Sequence, residues 1–412
     1  MHSFKPYVTT LLLAVSCFVI ATSLLLFPEA SFLAALRGLK IWWDVVFPAL
    51  LPFFITSEIL LGLGLAHFMG VLLEPLMRPV FNIPGSGSFV WTMGFASGYP
   101  ISAKLTTQLR TRNLISRAEG ERLVSYTTTA DPVFITGAVA VGFFHSVKVG
   151  LVLMAAHYIT AIMVGLVMSR HAPHAPRTPY AQTSNRSLLT RAFLAMHRAR
   201  LEDGRALGKL MGDAVASSLQ TQLMVGGFIL FFSVLLTLFM KLNLIALLSA
   251  ALGGLLGLFG APGEAAQAFV YGLFEVTLGA KQASDLFASY TPGFVLAVAS
   301  AVLAWGGLSV HAQVASMLAQ TDMRYGPFLF ARALHAVLAF LFTYTAGSFL
   351  YGRLQQASAV PTWATSLAPE QLSLWKQPSY YTFSLLVCAA SLTLTALLWQ
   401  IYSWFRMRKE PR

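Results

Sequence analysis

Apolar runs of about 20 residues recur along the chain, each long enough to cross about 30 Å of hydrocarbon. They lie near 8–27, 41–63, 66–80, 86–104, 123–145, 149–168, 217–240, 243–259, 266–284, 291–318, 327–350 and 380–405. The expected fold class is an all-α polytopic membrane protein of about 10–12 segments. The segments at 66–80, 86–104 and 266–284 are short enough to re-enter rather than cross. Only 11% of the 412 residues are charged, against about a quarter in a soluble domain. The net charge of +12 would suggest nucleic acid in a soluble chain. Here the Lys and Arg fall in loops, where they fix orientation. Basic clusters run from Lys104 to Arg122, from Arg170 to Lys209 and from Arg406 to Arg412, and all three are expected on the cytoplasmic side. An even number of crossings with both termini inside satisfies every loop. The first run, with its N-terminal Lys5, reads as an uncleaved signal anchor rather than a cleaved signal peptide.

Two segments interrupt the apolar pattern in the same way. One reads Gly94-Phe95-Ala96-Ser97-Gly98-Tyr99-Pro100-Ile101-Ser102-Ala103-Lys104, the other Gly272-Leu273-Phe274-Glu275-Val276-Thr277-Leu278-Gly279-Ala280-Lys281. A bilayer tolerates such breaks only against protein or a water-filled cavity. Paired interruptions in two halves of a chain point to a transporter's binding site. Gly94 and Gly272 are 178 residues apart, and the same offset carries Asp131 onto Ser309, both in polar, helix-breaking passages. Residues 41–168 and 216–350 therefore read as two copies of one unit. Five segments per copy would invert the second relative to the first. A signal-anchor region (1–40) precedes the pair, and a loop, last span and basic tail (351–412) follow it. The polar stretch 169–215 between the copies carries leucines near a helical period. It is either a connector or an amphipathic helix on the inner leaflet.

The candidate site residues follow from these breaks. A half-helix restarting near Pro100 would offer free N–H groups to a carboxylate or phosphate, with Ser97, Gly98 and Ser102 beside it. Lys104 either assists there or extends to the cytoplasmic interface. Glu275, beside Thr277, is an ionisable group at mid-span: a site for a coupling proton or cation, or one half of an ion pair with Lys281 or Arg332. Asp131 precedes Pro132, so it either caps an interrupted helix or meets the ligand directly. Ser309, His311 and Gln313 are polar groups within a span and should face the bundle interior. Arg332 and His335 share a helix face, and Arg332 needs a carboxylate or an anionic ligand. Asp44, Glu58 and Glu74 are not expected in the site. Cys17 and Cys388 read as buried hydrophobes, with no metal or disulfide spacing. No P-loop, zinc or nucleophile-elbow motif is present, so neither an enzyme nor a cofactor is expected.

Three runs carry a resemblance: Phe95-Ala96-Ser97-Gly98-Tyr99-Pro100, Gly137-Ala138-Val139-Ala140-Val141-Gly142-Phe143-Phe144 and Trp305-Gly306-Gly307-Leu308-Ser309-Val310-His311-Ala312-Gln313-Val314. Over roughly 41–350 the chain resembles the YlbJ (SpoVV) family of sporulation integral membrane proteins, which carry paired nucleoside-recognition, or Gate, domains. The resemblance implies transport of dipicolinate (pyridine-2,6-dicarboxylate), or a similar small aromatic carboxylate, across the mother-cell-derived outer forespore membrane. It leaves two alternatives: a nucleoside or nucleobase transporter, and a non-transporting scaffold for spore assembly. The expected partners are a small anionic substrate and the lipid bilayer, with a coupling proton or cation undetermined and no nucleic acid. Neither the residues nor the resemblance sets the oligomeric state.

Overall fold

A computed structural model describes residues 5–179, 187–257 and 262–356. The expected last span, 380–405, and Cys388 lie outside the described residues. The N-terminal part holds α1 (Lys5–Leu26), α2 (Pro28–Ile41) and a π-helical turn (Trp42–Val46). The first half continues through α3 (Phe47–Gly62), α4 (Leu65–Phe81), α5 (Gly87–Ser97), α6 (Tyr99–Thr111), α7 (Arg117–Thr127), a π-helical segment (Phe134–Phe143) and α8 (Val147–Met168). After α9 (Leu188–Asp203), the second half comprises α10 (Leu207–Lys241), α11 (Leu244–Gly257), α12 (Gly263–Phe274), α13 (Val276–Asp285), α14 (Pro292–Trp305), α15 (Gly307–Leu318) and α16 (Tyr325–Phe342). A second π-helical turn (Thr343–Gly347) leads into α17 (Ser348–Gln356). The protein is an all-α polytopic membrane protein, with no strand among the described residues.

Four stretches are individually long and apolar enough to span: Val147–Met168, Leu207–Lys241, Pro292–Leu318 and Tyr325–Gly347. Two bent pairs are apolar enough only when taken together, each as a broken span or a re-entrant loop: Ala14–Leu26 with Pro28–Asp44, at 102°, and Leu50–Gly62 with Leu65–Phe81, at 79°. The first bend was not expected. Pro28 sits at the first position of α2 with Glu29 in the first turn, which is helix-start chemistry. Cys17 is exposed on the outer face of α1, not buried as expected; a spanning helix there presents it to lipid.

The stretch between the halves does form an amphipathic helix, α9, started by Ser187, whose hydroxyl accepts from the Thr190 amide. It docks on α4: Phe193 packs edge-on against Phe68, with centroids 5.1 Å apart. Gly64 lets the two backbones meet, since a Cβ there would come within 2.7 Å of the Met196 carbonyl oxygen. Leu189 and Leu201 stay exposed, an apolar edge free for lipid. The connection is also shorter than expected, because α10 starts at Leu207.

The halves repeat one order of elements, α3 to α8 matching α10 to α16, and their packing is reciprocal. Helix α7 packs on α16 while α14 packs on α8; α6 meets α15 while α13 meets the Phe134–Phe143 segment; α8 and α16 meet each other. One continuous apolar core draws on both halves, from Tyr99 and Val139 to Val302 and Phe328.

Candidate functional site

Four helical passages are interrupted. Helix α5 stops at Gly98, whose φ of 84° and ψ of −172° suit glycine alone. Helix α7 ends in an extended stretch before the π-helical segment. Glu275, fully extended, separates α12 from α13. Gly306 and Gly307, both with positive φ, separate α14 from α15. The break falls within the expected passage from Trp305 to His311, and Ser309 sits in the first turn of α15.

The breaks converge. In the first half Gly98 packs on Asp131: a Cβ on Gly98 would stand 3.1 Å from its Oδ2. In the second half Gly307 packs on Glu275, with a Cβ 3.1 Å from its Cα. The acid and the glycine have exchanged places between the halves. Tyr99 joins the two pairs: its ring lies against Gly306 and its hydroxyl donates to the Leu303 carbonyl at 2.7 Å.

Each broken helix leaves carbonyls at its C-terminal end and N–H groups at its N-terminal end. Carbonyls at the ends of α7, α12 and α14 carry side-chain donors. Arg332, fully buried, donates to Ser125 and Thr128 (2.6 Å each) and to Ala304 (3.3 Å), so one guanidinium caps helix ends from both halves. Ser102 donates to Thr127 at 2.6 Å and Tyr158 to Ala130 at 3.0 Å. Trp305 Nε1 donates to Leu273, and His311 Nε2 meets the Trp305 carbonyl, both at 3.1 Å. The N–H ends divide. Asp131 Oδ1 accepts from Phe134 and Glu275 Oε2 from Leu278, each at 2.8 Å. The N-termini of α6 and α15 have no side-chain cap.

A family model for nucleoside recognition (Gate) matches residues 43–170. The sporulation integral membrane protein YlbJ of Bacillus subtilis (strain 168) is 45% identical over 342 residues, covering 81% of this chain and 82% of that protein. The chain belongs to the YlbJ family of sporulation integral membrane proteins. No solved structure matches.

Within this YlbJ-family fold the expected site residues separate into groups. Ser97, Gly98, Ser102, Asp131, Glu275, Thr277 and Arg332 stand at the breaks. Thr277 donates to Glu275 at 3.0 Å. The expected pair between Glu275 and Arg332 does not form, because Arg332 spends its donors on carbonyls, whose helix-end dipoles favour a cation. Lys281 pairs with Asp285 instead. Ser309 and Gln313 sit one turn apart on α15, 3.5 Å from each other. His311 stacks on Trp305 with centroids 4.1 Å apart and uses its other nitrogen on Tyr325, so both ring nitrogens are engaged. Lys104 neither joins the breaks nor reaches an interface. It is buried in an ion pair with Glu58 at 2.7 Å, and Glu58 also accepts from Gln108 and from Ser217 of the second half.

Two residues at the breaks of this YlbJ-family chain are not singled out by its sequence, Tyr99 and His157. His157 and His335 are buried with rings 4.9 Å apart, and His335 Nε2 meets the His157 carbonyl at 3.0 Å. His157 Nε2 accepts from the Ala130 amide, holding the first-half break. The two histidines lie 178 residues apart, the repeat offset itself, so that offset applied to His335 would have found it.

Proposed function

We propose that this chain is a carrier for dipicolinate, or a similar small aromatic carboxylate, across the outer forespore membrane. It works by alternating access of two inverted repeats, with Lys- and Arg-rich loops and both termini on the cytoplasmic side. One observation carries this reading: where the four broken helices meet, side-chain donors occupy carbonyls at the ends of α7, α12 and α14, whereas two N-termini remain uncapped. A site with engaged acceptors and open donors suits a ligand that only accepts hydrogen bonds, and a pyridine dicarboxylate is such a ligand. Ser97, whose buried hydroxyl has no partner, adds a donor beside the α6 N-terminus. Tyr99 and Trp305 supply aromatic surface at the same place.

The second reading, a nucleoside or nucleobase carrier, is favoured by the description of the matching family model. Asp131 and Glu275 would then accept from ribose hydroxyls or base amino groups. Uptake of labelled pyridine-2,6-dicarboxylate into proteoliposomes holding the purified full chain separates the two. Saturable uptake blocked by pyridine dicarboxylates and not by nucleosides is the expected result. Uptake blocked by nucleosides alone would replace the first reading with the second.

A further inference from the structure

Two carboxylates flank the proposed anion site, and this needs a physical answer. Asp131 and Glu275 each lie at a break, one from each half, and each caps the half-helix that follows it. Both fall within electrostatic reach of Tyr99, as does Arg332. A dianion placed among two ionised carboxylates inside a membrane protein is strongly repelled. Arg332 offsets this poorly, because its guanidinium faces three helix-end carbonyls.

Something must neutralise the acids when the substrate is bound. A metal cation would need several free oxygen ligands. At the ends of α7 and α14 the carbonyls of Thr127, Thr128, Ala130, Leu303, Ala304 and Trp305 already carry side-chain partners, so a cation there would draw only on the carboxylates and the hydroxyls. A proton needs only one lone pair. Asp131 has that lone pair on Oδ2, the oxygen facing Gly98, while Oδ1 keeps the Phe134 amide. Glu275 Oε1 accepts from Thr277 and keeps its second lone pair, while Oε2 keeps the Leu278 amide. A protonated carboxyl also becomes a hydrogen-bond donor. Independent signs of a ligand at the same place are the buried hydroxyls of Ser97 and Thr129, neither of which has a partner.

Resting on the carrier reading above, we propose that Asp131 and Glu275 are the coupling sites and that the coupled ion is the proton. Each acid takes one proton, on Asp131 Oδ2 and Glu275 Oε1, as the dianion binds, and returns it on the side where the dianion leaves. Two protons then travel with two negative charges, and the cycle is electroneutral. The loaded site presents only donors to the substrate: the α6 and α15 N–H groups, the hydroxyls and the two carboxyl O–H groups.

The test uses the full chain in proteoliposomes, with labelled pyridine-2,6-dicarboxylate, a pH indicator and a potassium-clamped membrane potential. In the unaltered protein, uptake should rise several-fold when the substrate side is made more acidic. It should ignore a sodium gradient and a potential of either sign, and two protons should move per dianion. Asp131→Asn and Glu275→Gln each fix one site in a neutral form while keeping a side-chain oxygen for the cap. Each should lower the ratio to one proton per dianion and make uptake respond to the membrane potential. Saturable uptake that ignores the pH gradient, or that follows sodium, overturns the coupling while leaving the carrier reading intact. Absence of saturable uptake under any gradient, from protein shown to be folded, overturns both. If a variant fails to fold, the stoichiometry and potential-independence of the unaltered protein decide alone.

Discussion

The interface between the halves closes in two different ways at the two ends of α16. Near its start the contact is ionic: Arg110 grips Asp322 with two bonds of 2.8 and 3.0 Å, and Arg324 reaches buried Glu121 at 2.9 Å. Beyond its far end the contact is aromatic. Phe144 meets Phe287 edge-on at 5.4 Å, and Phe287 meets Tyr351 at 6.0 Å. The repeat offset that relates His157 to His335 also relates Phe144 to Asp322, so one position of the repeated unit holds a ring on one side and a carboxylate on the other. Repetition set the backbone, and single side chains then gave each end its own physics. An ionic contact between partly exposed groups is screened by salt. An aromatic contact opens only by exposing apolar surface, which salt does not relieve.

The strongest way to break this contrast is to remove what both ends share. Arg332→Met installs the residue that the offset places in the first half, Met154. It strips donors from three buried carbonyls and should destabilise the protein by about 3–5 kcal/mol, read as a lowered melting temperature and loss of folded protein in detergent. Gly98→Ala acts on one half alone. The strained φ and the push on Asp131 should cost about 1–3 kcal/mol, measured as thermal stability beside the uptake rate. Phe287→Ala tests the aromatic end. It should weaken that contact by about 1 kcal/mol beyond lost area, with hydrogen exchange around Phe144 rising equally at low and high salt.

Arg110→Ala tests the ionic end and should have the smallest effect, roughly 0.5 kcal/mol, because Asp322 is half exposed and screened. Arg110 holds the Asp322 carboxyl below the usual carboxylate range. Its contribution is thus fully present above the unfolded value and is lost as pH falls through the lowered folded one. Opening of the 319–324 loop, followed by hydrogen exchange, should increase on acidification in the unaltered protein. In Arg110→Ala that acid response should shrink, and high salt should erase most of the difference between the two proteins.

The parts of this architecture that leave a mark on residue type were legible in the sequence. Hydropathy gave away the all-α membrane class and the four long spans but not the bends and short helices among the others, Gly98 and Glu275 marked the first break of each half, and the Gly94 to Gly272 spacing marked the period. The parts that live on the backbone were not. Arg332 reads as a cation in search of a carboxylate because carbonyls at a broken helix end have no letter of their own. Lys104 reads as a loose cation because its partner Glu58 lies far off in sequence, on α3. The helix-breaking passage from Trp305 to His311 is legible, but which of its residues reverses the chain is settled by positive φ, at Gly306 and Gly307.

The place where Arg332 is held has a mechanical consequence. It lies seven residues after Tyr325 and nineteen before Tyr351, which at helical rise gives arms of about 10 Å and about 28 Å. Any swing of that rod about its pinned point sweeps the aromatic end through nearly three times the arc of the ionic end. On the carrier proposed above, the long arm would open the wider aperture and the short arm would close with the greater leverage.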